Sequence, residues 1–269
     1  MNRFQATVIS QCERLPAVAY YTRSRGWPFI LSWAHRATGV ILVFYLLLHV
    51  YTLSSLVEPA VFAAKMVFYH HLFFSLLEWA IAIPLLFHAF NGGRLILFEI
   101  FNVRNDDIMI RWVAALGSVF LVMLGYLMIA GDQQVSAGFF WLITLITTAI
   151  AGYVVFAKIN KTANHVLWKM QRISGALLLP MLSAHMVFMH LNYAVGHDAD
   201  VITVRMQNYF TKGVDIILVA LIIFHGAYGA CTIIGDYVAK NFFRNLAALI
   251  TIVVMVACGW AGIKLIIVM

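Results

Sequence analysis

Four histidines occupy matching positions in the two halves of this chain. His49 and His88 in the first half correspond to His185 and His225 in the second. The two histidines lie 39 residues apart in the first half and 40 residues apart in the second. All four lie within long apolar stretches, where an ionisable side chain costs free energy and therefore indicates a function. These histidines are the first candidates for chemistry.

The residues around the histidines repeat as well. The sequence R-A-T-G at 36–39 precedes His49 as R-I-S-G at 172–175 precedes His185, with thirteen residues from arginine to histidine in both cases. The other two histidines begin a second motif, in which a glycine follows after four residues and an acid after eleven. Its members are His88, Gly92 and Glu99 in the first half, and His225, Gly229 and Asp236 in the second. Agreement in three spacings and in residue types predicts an internal repeat.

Heme ligation is the chemistry that four matched histidines favour. A heme bound by two histidines needs one from each of two facing helices. The rise of an α-helix places His49 and His185 at one shared depth, nearer the outside, and His88 and His225 at another, nearer the inside. The sequence therefore predicts two stacked b-type hemes, one for each pair. For any single histidine, the alternative is a hydrogen bond to a neighbouring helix.

Two glycines and two arginines of the repeat could serve the same cofactor. Gly92 and Gly229 lie one turn beyond a histidine, where a missing side chain leaves room for a flat macrocycle. Packing of helices through small residues explains them equally well. Arg36 and Arg172 could bind heme propionates through charge-assisted hydrogen bonds. Anchoring at the inner membrane surface is an alternative role for Arg172.

The composition is that of a membrane protein. Hydrophobic residues make up 63% and charged residues 11% of the chain, against about 45–50% and about 25% in soluble domains. The net charge of +7 comes from cations at the ends of apolar stretches, not from a cluster, which argues against binding to nucleic acid. Cys12, Cys231 and Cys258 lack the spacing of a zinc or iron–sulfur site.

Seven apolar stretches are each long enough to cross a bilayer as a helix. They cover 29–57, 67–101, 112–131, 138–157, 166–194, 213–236 and 246–268. We therefore expect an all-α integral membrane protein whose helices form a heme-binding bundle. The first twenty residues contain no signal-peptide core, so we expect the first spanning helix to direct membrane insertion.

Seven helices agree with a repeat whose halves run in the same direction. Three crossings invert the chain, so a parallel repeat needs one additional helix between its halves. The expected division is a cytoplasmic segment at 1–28, a first repeat at 29–131, a linking helix at 138–157 and a second repeat at 165–269. With the N-terminus inside, fourteen of the 18 arginines and lysines lie at inner helix ends. This asymmetry predicts a cytoplasmic N-terminus in a bacterial-type inner membrane.

The other six histidines lie near the ends of the apolar stretches. For these we expect wet, interfacial positions. They are His35, His70, His71, His165, His190 and His197.

Three segments resemble a known family. The segment S-W-A-H-R-A-T-G at 32–39 resembles the S-x-x-H-R-x-[TS]-G signature of the succinate dehydrogenase cytochrome b subunit. Segment 88–99 resembles the heme-ligand helix of that subunit, where aspartate is usual at the last position. Segment 225–237 is similar to the companion anchor subunit, whose helix ends in the same Asp-Tyr. The arrangement of four histidines is similar to that of the single-chain, diheme anchors of succinate dehydrogenases and fumarate reductases.

The resemblance implies partner subunits and a quinone site in addition to the heme sites. A flavoprotein subunit and an iron–sulfur subunit would dock on the cytoplasmic face, and electrons would pass from them to menaquinone or ubiquinone in the membrane. The family's quinone pocket matches Ser32, Arg36, Asp236 and Tyr237. All four lie at inner helix ends, where donors with access to water could protonate a reduced quinone.

The sequence departs from the family pattern in two places. Single-chain diheme anchors usually have five helices, and the hairpin at 112–157 is additional. Some menaquinol-oxidising fumarate reductases carry a glutamate two residues before the histidine that matches His225, whereas this chain has Ile223. This difference argues against their transmembrane proton route. Glu58 is the only acid expected near an outer quinone site.

Two other functions fit parts of the pattern. The chain could be the diheme cytochrome b subunit of another quinone-linked enzyme, such as a hydrogenase or formate dehydrogenase. It could also be a heme-free transporter that uses the histidines as a proton relay. The motifs at 32–39 and 236–237 favour the succinate dehydrogenase interpretation.

Overall fold

The computed structural model describes residues 3–16, 18–130, 136–191 and 193–269. Within these ranges the chain forms α-helices and one short 3-10 turn, and no strand. Seven of the helices are long and apolar enough to cross a membrane. The predicted all-α membrane fold is therefore confirmed.

The helices follow one another with short connections. In chain order they are α1 (Arg3–Cys12), α2 (Ala19–Leu53), α3 (Pro59–Tyr69), α4 (Leu72–Ile100), α5 (Asp106–Ala130), α6 (Ala137–Ile159), α7 (Val166–Leu191), α8 (Tyr193–His197), α9 (Ala199–Met206), α10 (Tyr209–Tyr237) and α11 (Asn241–Val268). The 3-10 turn, Ser54–Val57, directly follows α2. The seven spanning helices are α2, α4, α5, α6, α7, α10 and α11.

Helix α2 begins ten residues before the predicted start at 29, but it is not one regular helix. Gly26 has a φ of 62° and a ψ of −149°, a conformation that a residue with a side chain rarely adopts. Pro28 follows, in the first turn of the regular helix, where its missing N–H is tolerated. The break at Gly26 therefore separates residues 19–25 from the regular helix, which begins close to the predicted boundary.

The predicted stretch 67–101 begins too early. Residues up to Tyr69 belong to the short helix α3, which starts at Pro59. Helix α4 starts only at Leu72, after His71, whose side chain accepts a hydrogen bond from the Phe73 N–H at 3.4 Å. The connection contains two adjacent histidines, His70 and His71, and the side chain of His71 caps the start of α4.

The four helices that carry the matched histidines form the centre of the bundle. Helices α4 and α10 each pack against both α2 and α7. On the outside of this group, α5 packs against α4, α11 packs against α10, and α6 packs against α7. We refer to the end of the bundle where α4 and α10 finish as the inner end. The opposite end, which carries α3 and α9, is the outer end.

The additional hairpin predicted at 112–157 corresponds to α5 and α6, and α6 belongs to the packed core. Trp141 is buried and contacts Phe188 of α7, with ring centroids 5.4 Å apart. A Cβ at Gly152 would lie 2.4 Å from Cδ2 of Leu177, so glycine is needed for α6 to approach α7 this closely.

Candidate functional site

The outer half of the bundle brings His49 of α2 and His185 of α7 close together. Their ring centroids are 6.4 Å apart and their planes are at 90°. Nδ1 of His185 is buried and has no hydrogen-bond partner within the described ranges. The ring of Tyr45 stacks on that of His49, with centroids 5.7 Å apart.

A second pair lies nearer the inner end, where His88 of α4 is close to His225 of α10. The ring centroids are 6.2 Å apart and the planes are at 87°. These are the same two pairs that depth along the helices indicated. Their role as metal ligands remains a prediction.

The spacing of both pairs fits one heme iron between the two rings. Two imidazoles that bind a metal ion from opposite sides, through bonds of about 2 Å, have centroids roughly 6 Å apart. Among the residues that the structure describes, no group of three or more histidines, cysteines, aspartates or glutamates could hold a metal ion. Two protein ligands leave the coordination sphere of a bare ion incomplete, and the nitrogens of a porphyrin would complete it. The donor set therefore fits heme.

The inner histidines are oriented by hydrogen bonds at Nδ1. Nδ1 of His88 donates to the backbone carbonyl oxygen of His35 at 3.0 Å. Nδ1 of His225 lies 3.1 Å from the Ser174 hydroxyl oxygen, and that hydroxyl donates to the carbonyl of Gln171. The Ser174 oxygen is thus left to accept from His225. In both rings the proton is held on Nδ1, which leaves Nε2 as the nitrogen available to a metal.

Two glycines of the repeat allow the inner imidazoles to approach the neighbouring helices. A Cβ at Gly39 would lie 2.9 Å from Cε1 of His88, and a Cβ at Gly175 would lie 3.2 Å from Cε1 of His225. The sequence motif contained both glycines, but their function could not be read from it. The glycines that were predicted to make room, Gly92 and Gly229, each leave 3.5 Å between an added Cβ and its nearest neighbour, which is ordinary contact.

The expectation of a wet, interfacial position is wrong for His35. Its ring stacks on that of His88, with centroids 4.0 Å apart and planes at 6°. Its Nδ1 is buried, without a hydrogen-bond partner in the part of the chain described. Its place near the end of an apolar stretch suggested exposure, but the inward-facing side of α2 is already covered by α4 at this level. His35 is therefore part of the inner site.

The same expectation is wrong for His190, which is paired with an acid that the sequence analysis missed. Nδ1 of His190 donates to the Met186 carbonyl at 2.7 Å, and Nε2 lies 3.3 Å from Oε1 of Glu78. Both ring nitrogens face acceptors, so this pair shares a proton in addition to that of a neutral imidazole. Glu58, the acid predicted for the outer end, is exposed and precedes α3. The sequence did contain a signal for Glu78, because an acidic residue within an apolar stretch is unusual and indicates a function.

Two ion pairs cross between the repeats at the inner end. Arg36 of the first repeat pairs with Asp236 of the second at 2.8 Å, and Arg172 of the second pairs with Glu99 of the first at 2.8 Å. The guanidinium of Arg172 also lies over the Trp168 ring at 4.6 Å. Each arginine thus meets the acid of the other repeat. Propionate binding by Arg172 remains a prediction.

Three of the four predicted quinone-pocket residues come together at the inner end of α2 and α10. The Arg36 guanidinium contacts Asp236 and lies 5.7 Å from the centroid of the Tyr237 ring. Ser32 lies one turn before Arg36 on α2 and is exposed. The three charged or aromatic groups are only partly buried in this chain.

A buried arginine also fixes the inner end of α4. Arg94 donates through Nε to Oδ1 of Asn91 at 2.8 Å and through Nη1 to Asp106 at the start of α5. Arg94 and Asn91 are both buried. This network closes the turn between α4 and α5, at the inner end of the helix that carries His88.

Comparison with known proteins agrees with this architecture. The family model described as the succinate dehydrogenase/fumarate reductase transmembrane subunit matches residues 20–125 and 153–263. The residues between the two matched ranges include most of α6, the helix that links the repeats. The chain is 34% identical over 123 residues to the succinate dehydrogenase 2 membrane subunit SdhC of Mycobacterium tuberculosis, a match that covers 44% of this chain and 85% of that relative. No solved structure matches the chain.

The family match spans both repeats and all four matched histidines. It also includes the residues of the crossed ion pairs and of the cluster around Arg36. Seven spanning helices and a central bundle with two pairs of facing imidazoles are in keeping with it. This chain belongs to the family of succinate dehydrogenase/fumarate reductase transmembrane subunits.

Proposed function

We propose that this chain is a diheme membrane anchor that carries electrons between an iron–sulfur subunit and a membrane quinone. Family membership supports its general function, that of a membrane-anchor cytochrome b subunit of a succinate:quinone oxidoreductase. The observation that carries the diheme part is the presence of facing imidazoles at two depths, 6.4 Å and 6.2 Å apart.

In this proposal His49 and His185 bind the outer heme, and His88 and His225 bind the inner heme. A bound heme supplies one-electron chemistry at its iron. The chain holds the inner imidazoles by Nδ1, so that Nε2 keeps its lone pair for the metal. Burial of both pairs among apolar helices excludes water from the ligands.

The quinone would bind at the inner end, among Ser32, Arg36, Asp236 and Tyr237. The Arg36 guanidinium and the Tyr237 hydroxyl are donors for a quinone carbonyl, and Asp236 orients the guanidinium through their ion pair. Reduction by two electrons also takes up two protons, which must come from water or from nearby acids.

A flavoprotein subunit and an iron–sulfur subunit would dock on the inner end, facing the cytoplasm. Two features support this orientation. Most of the arginines and lysines lie at inner helix ends, as expected for the cytoplasmic side of a bacterial-type inner membrane. The proposed quinone pocket also lies there, close to the face on which an electron donor would dock. Both menaquinone and ubiquinone fit this chemistry.

Heme content per chain tests the proposal. The purified complex should contain two protohemes for each copy of this chain, measured by pyridine hemochrome against protein. One heme per chain would contradict the diheme arrangement and leave the inner pair as the only site. A sample without a reduced α-band would instead favour a heme-free proton relay. Co-purification of hydrogenase or formate dehydrogenase subunits would favour the other quinone-linked complexes.

A further inference from the structure

A cation at the outer end has unsatisfied donors. Arg205 lies on the short helix α9, outside the spanning segments. Its Nε is buried and has no hydrogen-bond partner in the described residues. Among the described residues, its Nη1 donates to Sδ of Met189, at 3.3 Å, and a thioether sulfur is a weak acceptor. A guanidinium has five N–H donors, so this thioether alone does not satisfy it.

The nearest acid does not satisfy this guanidinium. Asp215 of α10 is buried and interacts with Arg205 electrostatically. No ion pair within 4.0 Å joins the two side chains, which contrasts with the direct pairs of Arg36 and Arg172 at the inner end. Burial lowers the pKa of the Arg205 guanidinium and Asp215 raises it. Arginine nevertheless stays protonated in proteins, so a buried positive charge remains without a direct anionic partner.

The position of this guanidinium relates it to the outer histidine pair. Met189, which Arg205 contacts, is four residues after His185 on α7. Residues four apart lie on the same face of a helix, here about one turn nearer the outer end. Arg205 is also close enough to His185 to interact with its ring electrostatically. Arg205 therefore lies on the outer side of His185, with its unpartnered Nε at that end of the bundle.

We propose that Arg205 binds a carboxylate of the tetrapyrrole that His49 and His185 hold, that is, a propionate of the outer heme. This inference rests on the proposed diheme function. The planar guanidinium matches a carboxylate through two parallel hydrogen bonds, and Nε with one terminal nitrogen provides such a pair of donors. The two arginines of the repeat motif cannot serve this heme, because both lie at the inner end and pair with acids there.

A different role for Arg205 would be to balance the buried charge of Asp215. Under that hypothesis the pair stabilises the junction of α9 and α10 and has no specific effect on the outer heme. Removal of both charges would then restore the wild-type properties. Under the propionate hypothesis, removal of both charges still leaves the propionate without its partner. A double variant therefore distinguishes the two roles.

The experiment compares Arg205→Gln, Arg205→Lys, Asp215→Asn and the double variant Arg205→Gln/Asp215→Asn in the intact complex. Redox titration of the heme spectrum gives the midpoint potential of each heme. The transition that His49→Ala removes is that of the outer heme. Transfer of heme to apomyoglobin gives its rate of loss. We expect Arg205→Gln to move only the outer transition to lower potential, because an uncompensated carboxylate disfavours the added electron. The outer heme should also be lost about tenfold faster or more, as is typical when a partner behind a ligand is removed.

Arg205→Lys keeps the charge but not the paired donors. The potential of its outer transition should therefore be close to that of wild type, while its outer heme should still be lost faster than in wild type. If Arg205→Gln does not assemble, this loss rate in Arg205→Lys decides the question, and a wild-type rate would overturn the proposal. The double variant should keep a lower outer potential than Asp215→Asn.

Three further results would also overturn the assignment of Arg205. They are an unchanged outer transition in Arg205→Gln, equal shifts of both transitions, and recovery of wild-type behaviour in the double variant. A single heme in the wild-type complex would contradict the diheme function itself, independently of these variants.

Discussion

The inner and outer histidine pairs have nearly the same ring spacing but differ in what orients the rings. In the inner pair, Nδ1 of His88 faces the His35 carbonyl and Nδ1 of His225 faces the Ser174 hydroxyl. In the outer pair, Nδ1 of His185 is buried without a partner among the described residues. The ring of His49 stacks on a neighbouring tyrosine. The inner rings are thus held by directed hydrogen bonds, and the outer rings by packing.

The difference shows that an internal repeat can preserve ligands without preserving what surrounds them. Thr38 and Ser174 occupy the same repeat position, and each places its hydroxyl near Nδ1 of an inner histidine, at 3.5 Å and 3.1 Å. At the outer level, Tyr45 of the first repeat corresponds to Met181 of the second, which is buried and apolar. We therefore expect the inner site to depend on local hydrogen bonds and the outer site on contacts from residues that the two repeats do not share, such as Arg205.

Loss of a ligand histidine should have the largest effect. His49→Ala should remove one heme and its redox transition and spare the other, and His88→Ala should remove the complementary transition. In the proposed arrangement each helix pair supplies both protein ligands of one iron, so the two losses should be independent. Heme content and redox titration of the two variants measure this. His165→Ala, at an exposed position, is the control and should retain both hemes. Disappearance of the same transition in both variants would show that the pairing is wrong.

A methyl group at Gly39 should disturb only the inner site. The added Cβ would lie 2.9 Å from the His88 ring, so the ring or α2 must move, at a cost of about 1–3 kcal/mol. We expect Gly39→Ala to shift or weaken the inner transition and Gly175→Ala to do so less, because its clearance is 3.2 Å. Gly92→Ala, with 3.5 Å, is the matched control. Equal effects at all three positions would argue against a specific contact with the inner rings.

Quinone reduction should depend on the inner end alone. Arg36→Gln should lower it by about tenfold, which corresponds to the loss of one charge-assisted hydrogen bond of roughly 1.5 kcal/mol. Succinate oxidation with a soluble dye acceptor should continue, because that reaction precedes the membrane step. Tyr237→Phe and Ser32→Ala should act in the same direction. Lys65→Gln removes a cation at the outer end and should leave both activities unchanged. Equal loss of both activities in Arg36→Gln would indicate a defect of subunit assembly instead.

The smallest effects should come from the hydroxyls beside the inner rings. Ser174→Ala removes the hydrogen-bond partner of His225, worth about 1 kcal/mol, and should shift the inner transition while the outer one stays in place. Thr38→Val should have less effect, because His88 keeps its bond to the His35 carbonyl. Redox titration with both transitions resolved is the measurement. A larger shift in Thr38→Val than in Ser174→Ala would contradict the hydrogen bonds assigned to the inner rings.

Much of the candidate site could be predicted from the sequence because its motifs occur twice in the chain. Matched spacings identified the four histidines, and helical rise was enough to sort them by depth. The same reasoning placed His35 and His190 at wet helix ends, because distance from the end of an apolar stretch measures depth but not which neighbour covers a residue. Gly39 was visible in the motif, yet its role depends on His88, which is 49 residues away on another helix.

The sequence was enough to predict an all-α membrane protein with seven spanning helices, a duplicated histidine pattern and a shared depth within each histidine pair. These properties depend on composition and on distances along single helices, which the rise of about 1.5 Å per residue defines. The folded structure was needed to show that each arginine of the repeat pairs with the acid of the other repeat, that Gly39 and Gly175 face imidazoles, and that Arg205 contacts the helix of His185. Contacts of this kind depend on the rotation and packing of separate helices, and no periodicity within one helix encodes them.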